Sequence, residues 1–409
     1  MGNRETIVVG GGAAGIRAAI SAAEGGAAVS LLEGNDRLGR KILISGNGRC
    51  NLTNRDADRI GHYHGGNPSF AGPALAAHPV ADSLRFFRDL GIETKEEKRA
   101  RLFPCSDQAQ SIVDVLTDRM NQLGVEIATS AKVSSLSRDR DFHIQCADGR
   151  QWRSDRVILA SGGVSLSKLG ADDSGIRLAE SLGHSATGFL PGLVPLICND
   201  ACVHKMHGVK TWAEVTARPG NGKRSFSDVD DLLLTKYGVS GFVILNLSAR
   251  LVPLLEDGEV ELSINLFPGK TAEHVSELLK VRWEQNGHRS LEFSFAGLLS
   301  GKIVKPLLER FELPGERQVS QISKAERWKL AQILTSWSIV VSEPRSFDYA
   351  EVMIGGIRTE EIDSQTLESY IVPGLYFAGE MVDIHGDLGG YNFQWAWSSG
   401  FVSGERRGS

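Results

Sequence analysis

The sequence predicts an α/β fold built on a parallel sheet, with a second domain inserted into it. Three observations carry this. First, an apolar run, TIVV (6–9), ends in a glycine turn and leads into an Ala-rich helix (14–23). A second buried-type run, AAVSLLE (27–33), follows Gly25-Gly26 and closes on Glu33, which is βαβ spacing. Second, apolar strands recur far downstream at RVILA (156–160) and LYFAG (375–379), each running into small residues. Third, from about Leu193 to Pro344 the texture changes to short alternating runs and then to helical spacing.

Between these landmarks, 81–90 and 109–123 have helical apolar spacing. VEIATSAKVSSLSR (125–138), FHIQCADGR (142–150) and QWRSDRVILASGG (151–163) read as three strands, with a hairpin turning at Asp148-Gly149. RKILISGNGRCNLTN (40–54) reads as loop, and 55–80, rich in Gly, Pro and His, as irregular. In the inserted stretch LVPLICN, WAEVTAR and VELSINLF read as β structure, and 271–286 and 323–335 as helices. The expected organisation is a discontinuous domain, 1–192 with 345–409, interrupted by an inserted domain, 193–344. Its β part covers about 193–268 and its helical part about 269–344.

Composition narrows the function. A chain of 409 residues with 41% hydrophobic and 23% charged residues has room for a sizeable core. Lys plus Arg is 45 against 50 for Asp plus Glu, a net charge of −5, which weighs against nucleic acid as a partner. The five cysteines include no Cys-x-x-Cys pair, so neither a disulfide framework nor a metal site is expected, and a reducing, cytoplasmic setting is. The opening residues lack a signal-peptide core, and no run approaches the roughly 18 apolar residues of a membrane span. The 46 glycines, about 11% against roughly 7% on average, suggest backbone brought close to a ligand.

Gly10-x-Gly12-x-x-Gly15 is the first such place. It follows a strand and opens a helix whose unpaired N–H groups suit a pyrophosphate. Glu33, 33 − 10 = 23 residues on at a strand end, stands where a carboxylate accepts hydrogen bonds from a ribose, a reading the spacing favours over a solvated surface charge. Arg40-Lys41 and Ser45-Gly46-Asn47-Gly48-Arg49-Cys50-Asn51 form the second. They could wrap a diphosphate or the polar edge of a flavin, or be an ordered surface loop with a salt-bridged arginine. Ala160-Ser161-Gly162, at a strand's carboxyl end, faces either a cofactor or a plain loop exit. The fourth runs from Gly374 to Gly404, where a strand ends at Gly379-Glu380 and a glycine turn enters a helix near Tyr391-Asn392. That helix N-terminus would stabilise negative charge on a flavin, and Trp395 and Trp397 read as core packing.

Taken together, IVVGGGAAG, GRKILISGNGRCNLTN, ILASGG and GLYFAGEMVDIHGDLGGYNFQWAWSSG, with PGLVPL (191–196) and GVSGFVILNLS (238–248) between them, resemble the FAD-dependent oxidoreductases of the YhiN/BaiN type, which include aminoacetone oxidase-like enzymes. The resemblance implies a Rossmann-like FAD-binding domain of the two-dinucleotide-binding-domain flavoprotein type. It also implies an inserted β-barrel-like plus helical substrate domain, and FAD held without a covalent link. Gly10, Gly12, Ala13, Ala14 and Gly15 would then face the pyrophosphate, Glu33 the ribose, and Arg40 and Lys41 the adenosine-diphosphate side. Ser45, Gly46, Gly48, Arg49, Cys50 and Asn51 would lie toward the flavin, and Val133 would hold adenine through its backbone. Ala160, Ser161, Gly162, Gly379, Glu380 and Asp387 complete the expected cofactor set. Glu380 would lie near the ribityl and phosphate portion, and Gly390, Tyr391, Asn392 and Phe393 would line the ring.

Only one glycine fingerprint with an acidic partner is present, so NAD(P)H would serve as a transient donor over the flavin, or the substrate itself would supply electrons. The expected activity is hydride transfer between flavin N5 and a small or steroid-like organic substrate in the cleft between the two domains. It reads as NAD(P)H-dependent reduction of an activated C=C bond, with amine oxidation by O₂ as the alternative and a non-catalytic flavin sensor as the other class. His385 is the candidate proton donor, against a water-exposed loop histidine. Tyr391 either donates a hydrogen bond at the flavin or packs, and Cys50 reads as a packed residue rather than a redox thiol.

Overall fold

The computed structural model describes residues 5–219 and 225–405. They divide into two compact units, 1–190 with 351–409, and 191–350.

The first unit is organised by a five-stranded parallel sheet in the order Leu375–Phe377, Arg156–Leu159, Glu5–Val9, Ala28–Leu32, Glu126–Ala128. Val, Ile and Leu dominate these strands because both faces of a parallel sheet are buried. The register sets Phe377, Leu159, Val9, Leu32 and Ala128 in one row across the sheet. The residues that follow each strand, among them Gly10, Glu33, Ala160 and Ala378, therefore leave the sheet along one edge.

Two helices frame that edge. Ala13–Glu24 buries most of its small Ala, Gly and Ile side chains, and Tyr391–Gly404 packs along it. The approach is close: a Cβ at Gly400 would stand 2.4 Å from the Ala14 carbonyl oxygen. Arg156 donates to the Gly404 and Glu405 carbonyls at 3.1 and 3.0 Å, placing a cation at the negative end of that helix.

Several elements differ from the sequence reading. The stretch 125–138 is two strands: Glu126–Ala128 ends the parallel sheet, and Val133–Arg138 joins Phe142–Cys146 and Gln151–Ser154 in an antiparallel annex. The break is made by Ser130, at φ +50°, and by N–H groups of Ser130 and Ala131 donating to the Asn35 and Glu33 carbonyls. The stretch 151–163 likewise divides, at Asp155, into an annex strand and a core strand. Arg40–Gly48, read as loop, is helical, with non-helical angles at Ser45, Gly46 and Asn47. The helix formers Arg40 to Leu43 outweigh the Gly and Asn that follow them.

The second unit holds a seven-stranded antiparallel ladder. Its two outermost strands, Trp337–Val341 and Glu343–Pro344, are separated in the chain by Ser342 alone, so one stretch pairs with both ends and closes the ladder into a barrel. This stretch belongs to the segment read with the helical part. Phe242–Leu255, which the sequence reading left within the β part, is a helix touching the strands Lys210–Pro219 and Phe226–Leu234. Its residues are apolar on most sides, so it lacks the one-sided period that marks a helix. Ala272–Gln285 and Lys324–Thr335 are helices, each opened by a capping box.

Candidate functional site

Gly10, Gly12, Ala13, Ala14 and Gly15 make the turn from the central strand into its helix. A Cβ at Gly15 would stand 1.8 Å from the Gly10 carbonyl oxygen, whereas one at Gly12 would meet nothing within 4 Å. The turn is thus packed shut on its inner side and open at Gly12, the N-cap, where no side chain satisfies the helix's first N–H groups. Glu33 is buried beside it, its Oε2 accepting the Gly11 N–H at 2.7 Å and its Oε1 accepting from Asn35 N–H and Nδ2 at 2.7 and 2.8 Å. Asn35 Oδ1 in turn accepts from Arg40 at 2.7 Å. The 130–133 segment is held against Glu33 and Asn35 by the Ser130 and Ala131 bonds, so Val133 starts its strand at this edge.

Lys41 reaches across the edge, donating to Glu380 Oε2 and Ser165 Oγ, both at 2.7 Å. Glu380 Oε1 accepts from Ser165 at 2.8 Å and from the Met353 N–H at 2.6 Å. Burial alone would raise the Glu380 pKa, but the Lys41 charge and these hydrogen bonds outweigh it and hold the carboxyl below its ordinary range. Ala160 N–H extends the ladder to the Val9 carbonyl, Ser161 Oγ donates to Met381 Sδ at 3.0 Å, and Gly162, at φ +77°, lies near Glu380. Gly379 is fastened by the Ser399 hydroxyl at 2.9 Å.

The Ser45–Asn51 segment splits in role. Arg49 is committed away from the glycine turn: it pairs with Glu97 at 2.7 Å and lies over the Phe103 ring. Ser45 Oγ bonds the Ile42 carbonyl, and Gly46 and Gly48 both have positive φ. Cys50 is fully buried and its thiol is pushed up to about 12 by that burial, the thiol of a packed residue rather than a nucleophile. Asn51 Oδ1 is buried without a partner, so this segment holds an acceptor that the fold leaves unused.

Tyr391–Gly404 supplies a second uncapped helix N-terminus, with Gly390 at φ +108° as N-cap. A Cβ there would stand 2.4 Å from the Thr53 carbonyl carbon, so glycine is required. Asn392 is spent locally, its side chain bridging Gly386 N–H and carbonyl at 2.7 and 2.9 Å, and Phe393 stacks on Trp397. Trp395 and Trp397 are buried, donating to the Gly379 and Leu52 carbonyls. His385 is buried rather than water-exposed, with both ring nitrogens unpartnered. Burial first, then the neighbouring His64, brings its pKa down to about 4, so at neutral pH it carries no spare proton.

The sequence reading missed two residues here. His62 Nδ1 and His64 Nε2 meet the two oxygens of Asp387 at 2.9 and 2.7 Å. Burial would raise the Asp387 pKa, yet these two hydrogen bonds hold it low. The His ring of residue 62 stacks on Tyr391 at 4.4 Å between centroids. Both histidines fall in the stretch read as irregular, and their partner lies 325 and 323 residues away, beyond the reach of any local signal. Among the described residues, no group of three or more His, Cys, Asp or Glu is arranged to hold a metal ion.

Two helix N-termini without side-chain caps, open space at Gly12 and an unused acceptor at Asn51 suit a ligand with an anionic centre and a polar-edged ring, and a dinucleotide fits them. Residues 4–406 match the family described as HI0933-like protein Rossmann domain. The chain is 35% identical over 400 residues to the 3-dehydro-bile acid delta(4,6)-reductase of Clostridium scindens, covering 97% of each protein. It is 33% identical over 401 residues to the ribosomal RNA dihydrouridine synthase of Escherichia coli, covering 97% of this chain and 96% of that protein. The 3-ketosteroid delta1-dehydrogenase of Sterolibacterium denitrificans shares the fold, at TM-score 0.51 and 12% identity, over 98% of this chain and 99% of that one. No described helix is long and apolar enough to cross a membrane. With a full-length family match laid over a glycine turn, a strand-end glutamate and a parallel sheet, the chain belongs to the HI0933-like Rossmann-domain family and is an oxidoreductase of the flavoprotein class.

Proposed function

We propose that the protein is an FAD-dependent reductase of a carbon–carbon double bond conjugated to a carbonyl, acting on a small, steroid-like molecule with NAD(P)H as a transient electron donor. The observation that carries this is the 35% identity, over nearly the whole of both chains, to a reductase named for 3-dehydro-bile acids. When bound, FAD supplies the hydride chemistry. The chain's own part is to hold and orient it: the Gly10–Gly15 turn and the first helix N-terminus cradle the pyrophosphate, and Glu33 takes the ribose. Lys41 is fixed by Glu380 and Ser165. The uncapped Tyr391–Gly404 helix offers N–H groups and a positive dipole end to the ring, where negative charge gathers on reduction.

A second reading has its own support, since a relative 33% identical is a ribosomal RNA dihydrouridine synthase. Dihydrouridine formation also saturates a double bond conjugated to a carbonyl, in uracil. The two readings share the reaction and differ in substrate, and the net charge of −5 favours the small molecule. A cytoplasmic location, supported by five free cysteines, completes the reading.

The test is anaerobic. The purified protein, loaded with FAD, is titrated with NADH and NADPH while the flavin absorbance is followed. It is then mixed with 3-oxochola-4,6-dienoic acid or with a uridine-containing ribosomal RNA transcript. Bleaching by a nicotinamide followed by reoxidation with the dienone is the expected result. Reoxidation only by the RNA selects the second reading, and reoxidation by neither substrate until air is admitted overturns both.

A further inference from the structure

The cluster around Asp387 has chemistry that cofactor binding does not use. Asp387 meets one imidazole with each carboxylate oxygen, His62 through Nδ1 and His64 through Nε2. An ionised carboxylate only accepts, so each facing nitrogen carries its proton. The far nitrogens, His62 Nε2 and His64 Nδ1, are thereby left to accept or pass on a proton, and both side chains retain solvent access, at 33% and 22%. The backbone ties the cluster together. His385 and Gly386 pair with His64 and Tyr63 in an antiparallel bridge, Asp387 N–H donates to the His62 carbonyl, and Asn392 ties Gly386 to the start of the Tyr391–Gly404 helix. A second, independent observation is His385 itself, a buried imidazole whose ring lies 5.5 Å from that of His64 with both nitrogens unpartnered. Buried polar atoms are almost always paired, so the cluster holds hydrogen-bonding capacity that the fold does not consume. The charged groups around it are Glu380 toward His385, Asp56, Arg59 and Arg99 toward Tyr391, and Asp58 toward Tyr63.

We propose that His62 and His64, bridged by Asp387, are the proton-delivering pair of the reductase, and that they face the carbonyl-bearing end of a conjugated enone. This rests on the reading that the flavin ring lies at the Tyr391 helix end. Saturating one C=C bond places a hydride on one carbon and a proton on the other. The hydride is drawn from reduced flavin, which is left oxidised; the proton comes from the outward nitrogen of one ring, His62 Nε2 or His64 Nδ1, in its doubly protonated form, which leaves that ring neutral with its Asp387-facing N–H in place, and the ring regains the proton from solvent. Asp387 fixes which nitrogen of each ring faces outward, so it is a positioning residue, while His62 and His64 are the catalytic ones.

Two measurements test this. In ¹⁵N-histidine NMR of the flavin-free protein, neutral His62 is expected as the Nδ1–H tautomer and neutral His64 as Nε2–H. Asp387→Asn offers one acceptor and one donor in place of two acceptors, so one ring must switch. Mixed tautomers at both rings in the unsubstituted protein overturn the proposal without reference to flavin. In the second, dithionite-reduced, FAD-loaded enzyme is mixed anaerobically with 3-oxochola-4,6-dienoic acid. His62→Gln/His64→Gln is expected to slow flavin reoxidation by about 100-fold or more, and Asp387→Asn by less, each compared at saturating FAD after complete reduction by dithionite. Reoxidation at the unsubstituted rate in the double variant overturns the pair as proton source. If the unsubstituted enzyme is not reoxidised by the dienone, the reading under Proposed function has failed and takes this one with it.

Discussion

The two uncapped helix N-termini of the first unit are built from opposite materials. At Ala13–Glu24 the surroundings are glycine, alanine and backbone, and the nearest acid, Glu33, is already tied to Gly11 and Asn35. At Tyr391–Gly404 the surroundings are His62, His64, His385, Asp387 and Tyr391, a set of titratable groups bound mainly to one another. A bare terminus has nothing to exchange with a ligand and can only hold it through fixed dipoles and N–H groups. A terminus ringed by imidazoles can also move protons. One end is suited to binding and the other to chemistry, although the backbone geometry that offers them is the same.

The sharpest way to break that contrast is at the binding end. Gly15→Val sets a branched side chain where even a Cβ would stand 1.8 Å from the Gly10 carbonyl oxygen. It is expected to abolish FAD retention, by more than about 100-fold or 2.7 kcal/mol, as measured by flavin fluorescence titration. Tyr391→Phe at the other end is expected to leave FAD affinity within about 3-fold, ~0.7 kcal/mol. Equal losses at both ends would erase the division of labour.

A smaller effect separates the two ends by pH. His385 is kept neutral, with its pKa brought down to about 4 by burial and by His64. An unfolded histidine takes up its proton near pH 6.5, so as pH falls from there toward 4 the unfolded chain gains a proton that the folded chain refuses, and stability drops. His385→Gln is expected to flatten this loss by about 2 kcal/mol between pH 8 and pH 5, read as the difference in urea-unfolding free energy between the two proteins. A parallel pH dependence in both would show that the imidazole is not held neutral by the fold.

A more modest loss of binding is expected at Glu33. Glu33→Ala should weaken FAD about 10-fold, roughly 1.4 kcal/mol, while leaving riboflavin, which has no adenosine ribose, unchanged in the same titration. Equal weakening of both ligands would show that Glu33 acts only by bracing Gly11 and Asn35.

The contrast also marks how far local sequence reaches. The binding end is written in one contiguous stretch: a strand, three glycines at fixed spacing, a helix, and an acid at the next strand end are all fixed by steric needs within about 30 residues of βαβ unit. That is why Gly10 to Gly15, Glu33 and the parallel sheet are legible in the sequence. Arg49 shows the limit even there, since its direction toward Glu97 and Phe103 depends on where strands 48 residues away come to lie. Local pattern also failed where a helix had no polar face, at Phe242–Leu255, and where one run of β-prone residues served two sheets, at 125–138.

The linear chain alone carries the α/β class, the glycine turn with its acidic partner, and a second glycine-led helix near Tyr391. Each of these is set by backbone sterics and hydrophobic period, which act over neighbours in the chain. Only the tertiary structure decided that His62 and His64 share one carboxylate, that Glu380 is neutralised by Lys41, and that His385 is buried instead of wet. Those facts depend on side chains brought together from over 300 residues apart, and on the loss of water around them, for which a linear sequence carries no local signal.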